Sequence, residues 1–299
     1  MINSARDLAD RFHERWLRAN PFSATMFGIG GYDDLLPDDS EAGQRAWRAE
    51  AERFGARAAE LAADGRDQLT AEDAITLDCL AQAVERELAA IDMAADEHAV
   101  TAMHYRGPAV FLAVAARTVL VDVAAAEAYL TRLRASGAWL DQIAERLRAG
   151  ARRGRLPVAP LAEQAIAWAE AILANPGTSP VLSPKPPDGW SRAAAWEAER
   201  RAATADVVHP ALARWVEVVR DLLGRARPSE RAGLCWLPGG EDDYAQAIRV
   251  YTTLPLSAAE LHQTGLDHVA ALEARAVELG AGLGLSGLEE VFAAVRDAA

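Results

Sequence analysis

The sequence predicts an all-α fold, a multi-helix array with at most one short β-hairpin, and three observations predict it. The apolar residues, 51% of the 299, are dominated by Ala and Leu with few β-branched runs, a composition that favours helix over sheet. Helix-start signals recur along the chain. Between them apolar residues return at intervals of three and four, with no sustained alternation. Roughly nine to twelve helices are expected on this pattern.

Taken in order, Ser4 and Asp7 open a helix carrying Leu8, Phe12 and Trp16 on one face. Asn20-Pro21 ends it, because the residue before proline avoids the α region. A loop is expected from Pro21 to Ser40, holding Gly28, Gly30, Gly31 and Pro37. Ser40 then caps a polar, Ala-rich helix to about Ala63, and Thr70 with Asp73 forms a capping box before Leu77, Leu80, Val84, Leu88 and Ile91. Those spacings make one continuous apolar stripe.

From Pro108 to Ala174 three or four helices are expected, with breaks near Asp122, at Ser136-Gly137 and from Gly154 to Pro157. Asn175 to Gly189 holds five prolines and no periodicity, a loop or linker. Helical text returns from Ser191 to Gly224, and a short extended stretch, Gly233 to Gly240, interrupts it. Ser257 and Glu260 make a second capping box, opening a helix to about Gly280, and Gly287 to Ala299 is again helical. The chain thus divides into a helical region 1–174, a Pro-rich loop 175–190 and a helical region 191–299.

The formal charge of −13 argues against nucleic acid and anionic membrane as partners, since both repel an acidic surface. No apolar run approaches the ~20 residues a bilayer requires. The opening MINSARDLADRFHERW carries charges every few residues, unlike a secretory segment. Cys79 and Cys235 are far apart and lack metal-ligand spacing. A cytoplasmic protein in a reducing compartment is the expectation.

No catalytic or metal-binding set is apparent. His13-Glu14 begins like a zinc-peptidase helix, but Leu17 stands where the second ligand belongs. His262 and His268 lie about 240° apart on a helix at ~100° per residue and cannot share a metal. His98, His104 and His209 have no partner at chelating spacing. The only lysine, Lys185, sits in the proline-rich loop, which excludes a phosphate-loop or buried Schiff-base lysine. Cys235 reads as a half-buried structural thiol. The run Asp33-Asp34-Leu35-Leu36-Pro37-Asp38-Asp39 resembles the aspartate-rich magnesium motif of all-α prenyl-diphosphate enzymes. Pro37 and the preceding glycines place it in a loop, and a second such motif is missing. Helix capping near Ser40 is the plainer reading.

The segment Gly233-Leu-Cys-Trp-Leu-Pro-Gly-Gly-Glu-Asp-Asp-Tyr244 is the least ordinary text in the chain. Two glycines after proline permit close backbone approach, and Trp236 and Tyr244 could wall a pocket. A tight inter-helix turn would look the same. This segment carries a family resemblance. Leu237-Pro238-Gly239-Gly240, Tyr244, Arg249, Thr252-Thr253, and Glu260-Leu261-His262 with Gly265-Leu266 resemble the pattern of the domain of unknown function 885 family. Asn20 to Ser40 and the stretch LRAGARRGRLPVAPLAEQAI are similar to its earlier blocks, in the same order.

The resemblance implies a mainly helical, thermostable-carboxypeptidase-like protein and a zinc peptidase activity in a full-length relative. The family's metal helix, a His-Glu pair followed by Pro-Gly-His, lies C-terminal to the blocks matched here. The chain is therefore expected to be a non-catalytic N-terminal half with no zinc ligand of its own, forming one wall of a peptide-binding cleft. Pro238, Gly239, Gly240, Tyr244 and Arg249 are the expected substrate-binding residues. The expected partners are a missing C-terminal half or a second copy, besides a peptide substrate. An apolar face around Leu254, Leu256, Val269, Leu272, Leu283, Leu285, Val291 and Phe292 is expected to stand exposed. A helical interaction module without chemistry is the alternative.

Overall fold

The computed structural model describes residues 4–64, 69–103 and 106–298. Twelve α-helices occur among them, and the one β-type pairing is a single parallel bridge between Val158 and Arg227. The described residues divide between Asp243 and Tyr244 into two compact units.

The first unit holds two apolar clusters. One is built by α1 (Ala5–Ala19), α3 (Glu41–Asp64) and α4 (Ala71–Met93), around Leu8, Phe12, Ala51, Leu77, Leu80 and Val84. The caps expected here are made: Ser4 accepts from the Asp7 N–H and Ser40 from the Gly43 N–H, and Thr70 and Asp73 close a reciprocal capping box. Each satisfies donors that the first turn of a helix leaves unbonded.

The second cluster gathers α2 (Pro21–Met26), α5 (Gly107–Arg117), α6 (Val123–Arg152), α7 (Ala159–Ala174), α8 (Ala193–Ala203) and α9 (His209–Leu223). The 30-residue α6 runs through it, burying Tyr129, Leu130, Leu133, Leu140 and Leu147. Fully burying Trp196, whose indole N–H donates to the Ala126 carbonyl at 2.9 Å, favours the fold by ~2–3 kcal/mol. The Asn175–Gly189 loop contains two 3-10 turns and is tied to this core. Tyr129 donates its hydroxyl to the Val181 carbonyl at 2.8 Å, and Arg200 to the Pro184 carbonyl. Helices on both sides of the loop share one core.

Three expectations need correction. Pro21 does not begin a loop: it occupies the first turn of α2, where its missing N–H costs nothing. Ser136-Gly137 does not break a helix. Both lie buried inside α6, and a Cβ on Gly137 would sit 2.9 Å from Val207 Cγ1, so the glycine admits a neighbouring segment. That neighbour is a π-turn, Thr204–Val208, joining α8 to α9. The Gly233–Gly240 stretch is not extended: Leu234–Trp236 forms a 3-10 turn.

The second unit begins within α10 (Gly240–Thr252) and continues through α11 (Ala258–Ala281) and α12 (Leu288–Asp297). Ser257 and Glu260 form the expected capping box. Gly280 is the one buried residue of α11, its Cα face set against Val291 of α12. Leu254, Val269, Leu272, Leu283 and Phe292 are half exposed or more, whereas Leu256, Leu285 and Val291 are only partly exposed. No described helix is long and apolar enough to cross a membrane.

Candidate functional site

The Gly233–Gly240 turn is pinned from within the first unit by two buried arginines. Arg227 follows α9 and donates through Nη1 to the carbonyls of Arg231 (2.8 Å), Ala232 (3.2 Å) and Gly233 (2.8 Å), and through Nε to Leu156 (2.9 Å). Arg155 follows α6 and donates to the Pro238 carbonyl at 3.0 Å, the Met93 carbonyl at 2.6 Å and Asp243 Oδ2 at 2.8 Å. A planar guanidinium fork suits this task, since it presents several donors in fixed directions. Burial lowers the Arg227 pKa from the ordinary arginine value, and the nearby Arg155 acts in the same direction.

The glycines of the turn serve its own backbone. Gly239 has φ +73°, a left-handed conformation that favours glycine. A Cβ on Gly240 would lie 1.7 Å from the Leu234 carbonyl oxygen, so the close approach allowed by that glycine is intramolecular. Leu237 is buried beneath the turn, and Trp236 stands 53% exposed with the Arg231 guanidinium 5.1 Å over its ring. Cys235 is exposed, not half-buried as its sequence context suggests.

Pro238, Gly239 and Gly240 are thus brought together in one turn of the first unit. Tyr244 and Arg249 belong to the second unit, five positions apart on α10 and so about 140° apart around it. Both are exposed.

The aspartate-rich run does not converge. Asp33 accepts from the Thr25 hydroxyl at 2.7 Å and faces the buried Arg132 at 3.8 Å, and Asp38 bonds Ser40. Asp39 accepts from the Trp139 indole N–H at 2.6 Å. Asp33 and Asp39 are half-buried and held by partners on other elements, so the solvated capping role fits Asp38 alone among these three. The magnesium reading has no geometric basis.

Among the described residues no group of three or more His, Cys, Asp or Glu side chains is arranged to hold a metal ion. His98 is 8% exposed; burial first, then Arg155, Arg227 and Arg106, depresses its pKa to about 4. His13 stacks on Trp16, His262 and His268 are exposed on α11, and His104 lies outside the described residues. Sequence reasoning missed Arg155 and Arg227, and also a cleft beside Asp39. Asp39 and Glu87 line this cavity of about 460 Å³ together, and a second space of about 190 Å³ adjoins it at Asp39, Asp96 and Arg106.

Over residues 21–299 the chain matches the family described as "Bacterial protein of unknown function (DUF885)". It belongs to that family. No curated protein matches this DUF885 chain. Among solved structures, a "putative lipoprotein" from Colwellia psychrerythraea aligns with TM-score 0.78 at 20% identity, covering 98% of this chain and 54% of its own. A "putative lipoprotein of unknown function" from Shewanella oneidensis aligns with TM-score 0.62 at 14% identity, covering 94% and 48%. These likenesses show a shared fold, and the chain spans about half the length of those solved relatives.

Proposed function

We propose that this chain is the non-catalytic, N-terminal half of a metallopeptidase-like protein and forms one wall of a peptide-binding cleft. The observation that carries the reading is the turn that presents Trp236. Two buried arginines anchor the turn and the residues leading into it through four carbonyl bonds, to residues 231–233 and 238, leaving a large aromatic half exposed above that anchored backbone. An aromatic side chain held this way offers contact area at low entropic cost, which suits peptide recognition. The match of residues 233–275 to the family pattern agrees with it. Two exposed, unpaired cysteines favour a reducing, cytoplasmic setting.

Titration of the chain with short unstructured peptides tests the wall. Saturable binding weakened in Trp236→Ala is expected, and its absence at millimolar peptide would overturn the reading. Elemental analysis and a peptide-cleavage assay test the non-catalytic part: zinc bound one per chain, or cleavage by this chain alone, would overturn it.

The second reading, a helical interaction module, draws on a different observation. Along α11, Leu266, Val269, Leu272 and Leu279 are all at least half exposed. Apolar faces of this kind mark association surfaces. Association without peptide binding would favour that reading.

A further inference from the structure

The cleft at Asp39 holds two carboxylates, Asp39 and Glu87, that make no ion pair among the described residues. Glu87, on α4, accepts the Trp16 indole N–H on Oε1 at 2.8 Å and the Trp47 indole N–H on Oε2 at 3.0 Å. Asp39, in the loop before α3, takes the Trp139 indole N–H on Oδ2, and its Oδ1 has no donor among the described residues. Indole N–H groups orient a carboxylate but bring no positive charge. Neither carboxylate makes an ion pair among the described residues.

Three arginines line the cleft, and each is paired with a residue other than Asp39 and Glu87. Arg15 grips Glu50 with two bonds, at 2.6 and 2.9 Å. Arg106 pairs with Asp96 at 2.9 Å. Arg18 lies 5.8 Å over the Tyr32 ring and 3.5 Å from Glu14. Asp39 is withdrawn from water, and that desolvation, reinforced by Asp96 and Asp38, raises its pKa to about 6 against the opposing pull of Trp139 and Arg106. A carboxylate in such a place is stabilised by any cation that reaches it with N–H donors.

The cavity shape selects among cations. About 460 Å³ of space is bounded by Trp47, Leu36 and Ile91, and past Asp39 the adjoining space is bounded by Phe22, Val110 and Ile143. Since no three ligating side chains converge among the described residues, a bare metal ion is poorly matched. An ammonium on an aliphatic stem matches both the free carboxylate lone pairs and the apolar walls.

We propose that the cleft between Asp39 and Glu87 binds an alkylammonium group, the head at the indole-held carboxylates and the stem along the Trp47 and Leu36 wall. This assignment is independent of the peptide-wall reading. The head belongs either to a free aliphatic amine or to a lysine side chain, and the two share one chemistry. The overall charge of −13 favours encounter with either.

The test is calorimetric titration of the whole chain at pH 7.5 with 1,5-diaminopentane, with a lysine-containing tripeptide blocked at both ends, and with pentanoate. Saturable binding of the diamine, the tripeptide or both is expected, with none for pentanoate, and the arm that binds identifies the source. Asp39→Asn and Glu87→Gln keep the indole acceptors and should each weaken binding ~10-fold or more, the usual loss for a charged hydrogen bond. Circular dichroism confirms that each variant is folded, and the wild-type titration stands without them. No saturable binding by either cation, equal binding of pentanoate, or binding unaltered in both folded variants would overturn the proposal.

Discussion

Gly150 of α6 and Glu97 meet so closely that a Cβ on the glycine would lie 2.1 Å from the Glu97 carbonyl oxygen and 2.6 Å from its Cβ. The contact seats the 3-10 turn Ala95–Glu97 on α6 and delivers the Glu97 carboxylate, 2% exposed, to Arg146 at 3.2 Å and to Arg153. The obstruction is backbone, which cannot rotate away. Gly150→Ala is therefore expected to cost ~3 kcal/mol or more by overpacking and by disturbing a buried ion cluster. Urea unfolding measures it. Gly177→Ala, where a Cβ would meet nothing within 4 Å, should change stability by less than ~0.5 kcal/mol.

Replacing Arg155 should loosen the Trp236 turn before it unfolds the protein. Arg155→Met removes the donors to Pro238, Met93 and Asp243 and leaves Asp243 without that partner. Breaking one side of a buried pair costs ~3–5 kcal/mol. Faster amide exchange across residues 234–240 than in the wild type is the expected readout. Arg155→Lys should restore little of it, because one ammonium cannot reproduce a three-way fork.

The half-buried Asp39 and the buried His98 act on stability with opposite sign as pH changes. The raised pKa of Asp39 means the folded state binds that proton more tightly, so its contribution is greatest below 3.8 and is lost as pH rises to about 6. The depressed pKa of His98 means the unfolded state binds its proton first, so its contribution is present above 6.5 and is lost as pH falls to about 4. Each is worth on the order of 3 kcal/mol at most, and the two nearly cancel between pH 4 and 6. Asp39→Asn should expose the His98 limb, with the chemical-unfolding midpoint dropping steadily from pH 6.5 downward. A flat profile in that variant would refute the assignment.

In the second unit, the exposed leucines and valines of α11 predict concentration-dependent association or weak amide protection across residues 257–298. Leu272→Glu, at a position 68% exposed, should reduce association without lowering the unfolding midpoint of the first unit. Strong protection in a monomeric sample would argue against both.

Local signals were legible. Thr70 with Asp73 and Ser257 with Glu260 announce their helices because a capping box is made within four residues. Small residues mislead where tertiary packing uses them: Ser136-Gly137 looks like a break and is a seat for Val207. Asn20-Pro21 signals an ending, yet Asn20 both closes α1 and precedes α2. The arginine clamps were not legible, since Arg155 reaches positions 62 and 83 residues away. One signal was present: all but one of the 31 basic residues are arginine, a bias suited to forked contacts with carbonyls. The Asp39 cleft depends on indoles from α1, α3 and α6, which no spacing rule connects.

The π-turn at Thr204–Val208 fixes a phase. It carries an extra residue relative to an α-turn, so α9 emerges rotated by about 100° from where an unbroken α8 would have taken it. Trp215, Val219 and Leu222 face the core under that offset. Loss of a single codon in this turn would act like turning a key, carrying the entire inward face of α9 towards solvent while leaving its composition unchanged. The helix is thus addressed by register as much as by sequence, and Val207, lying against Gly137, holds the setting in place.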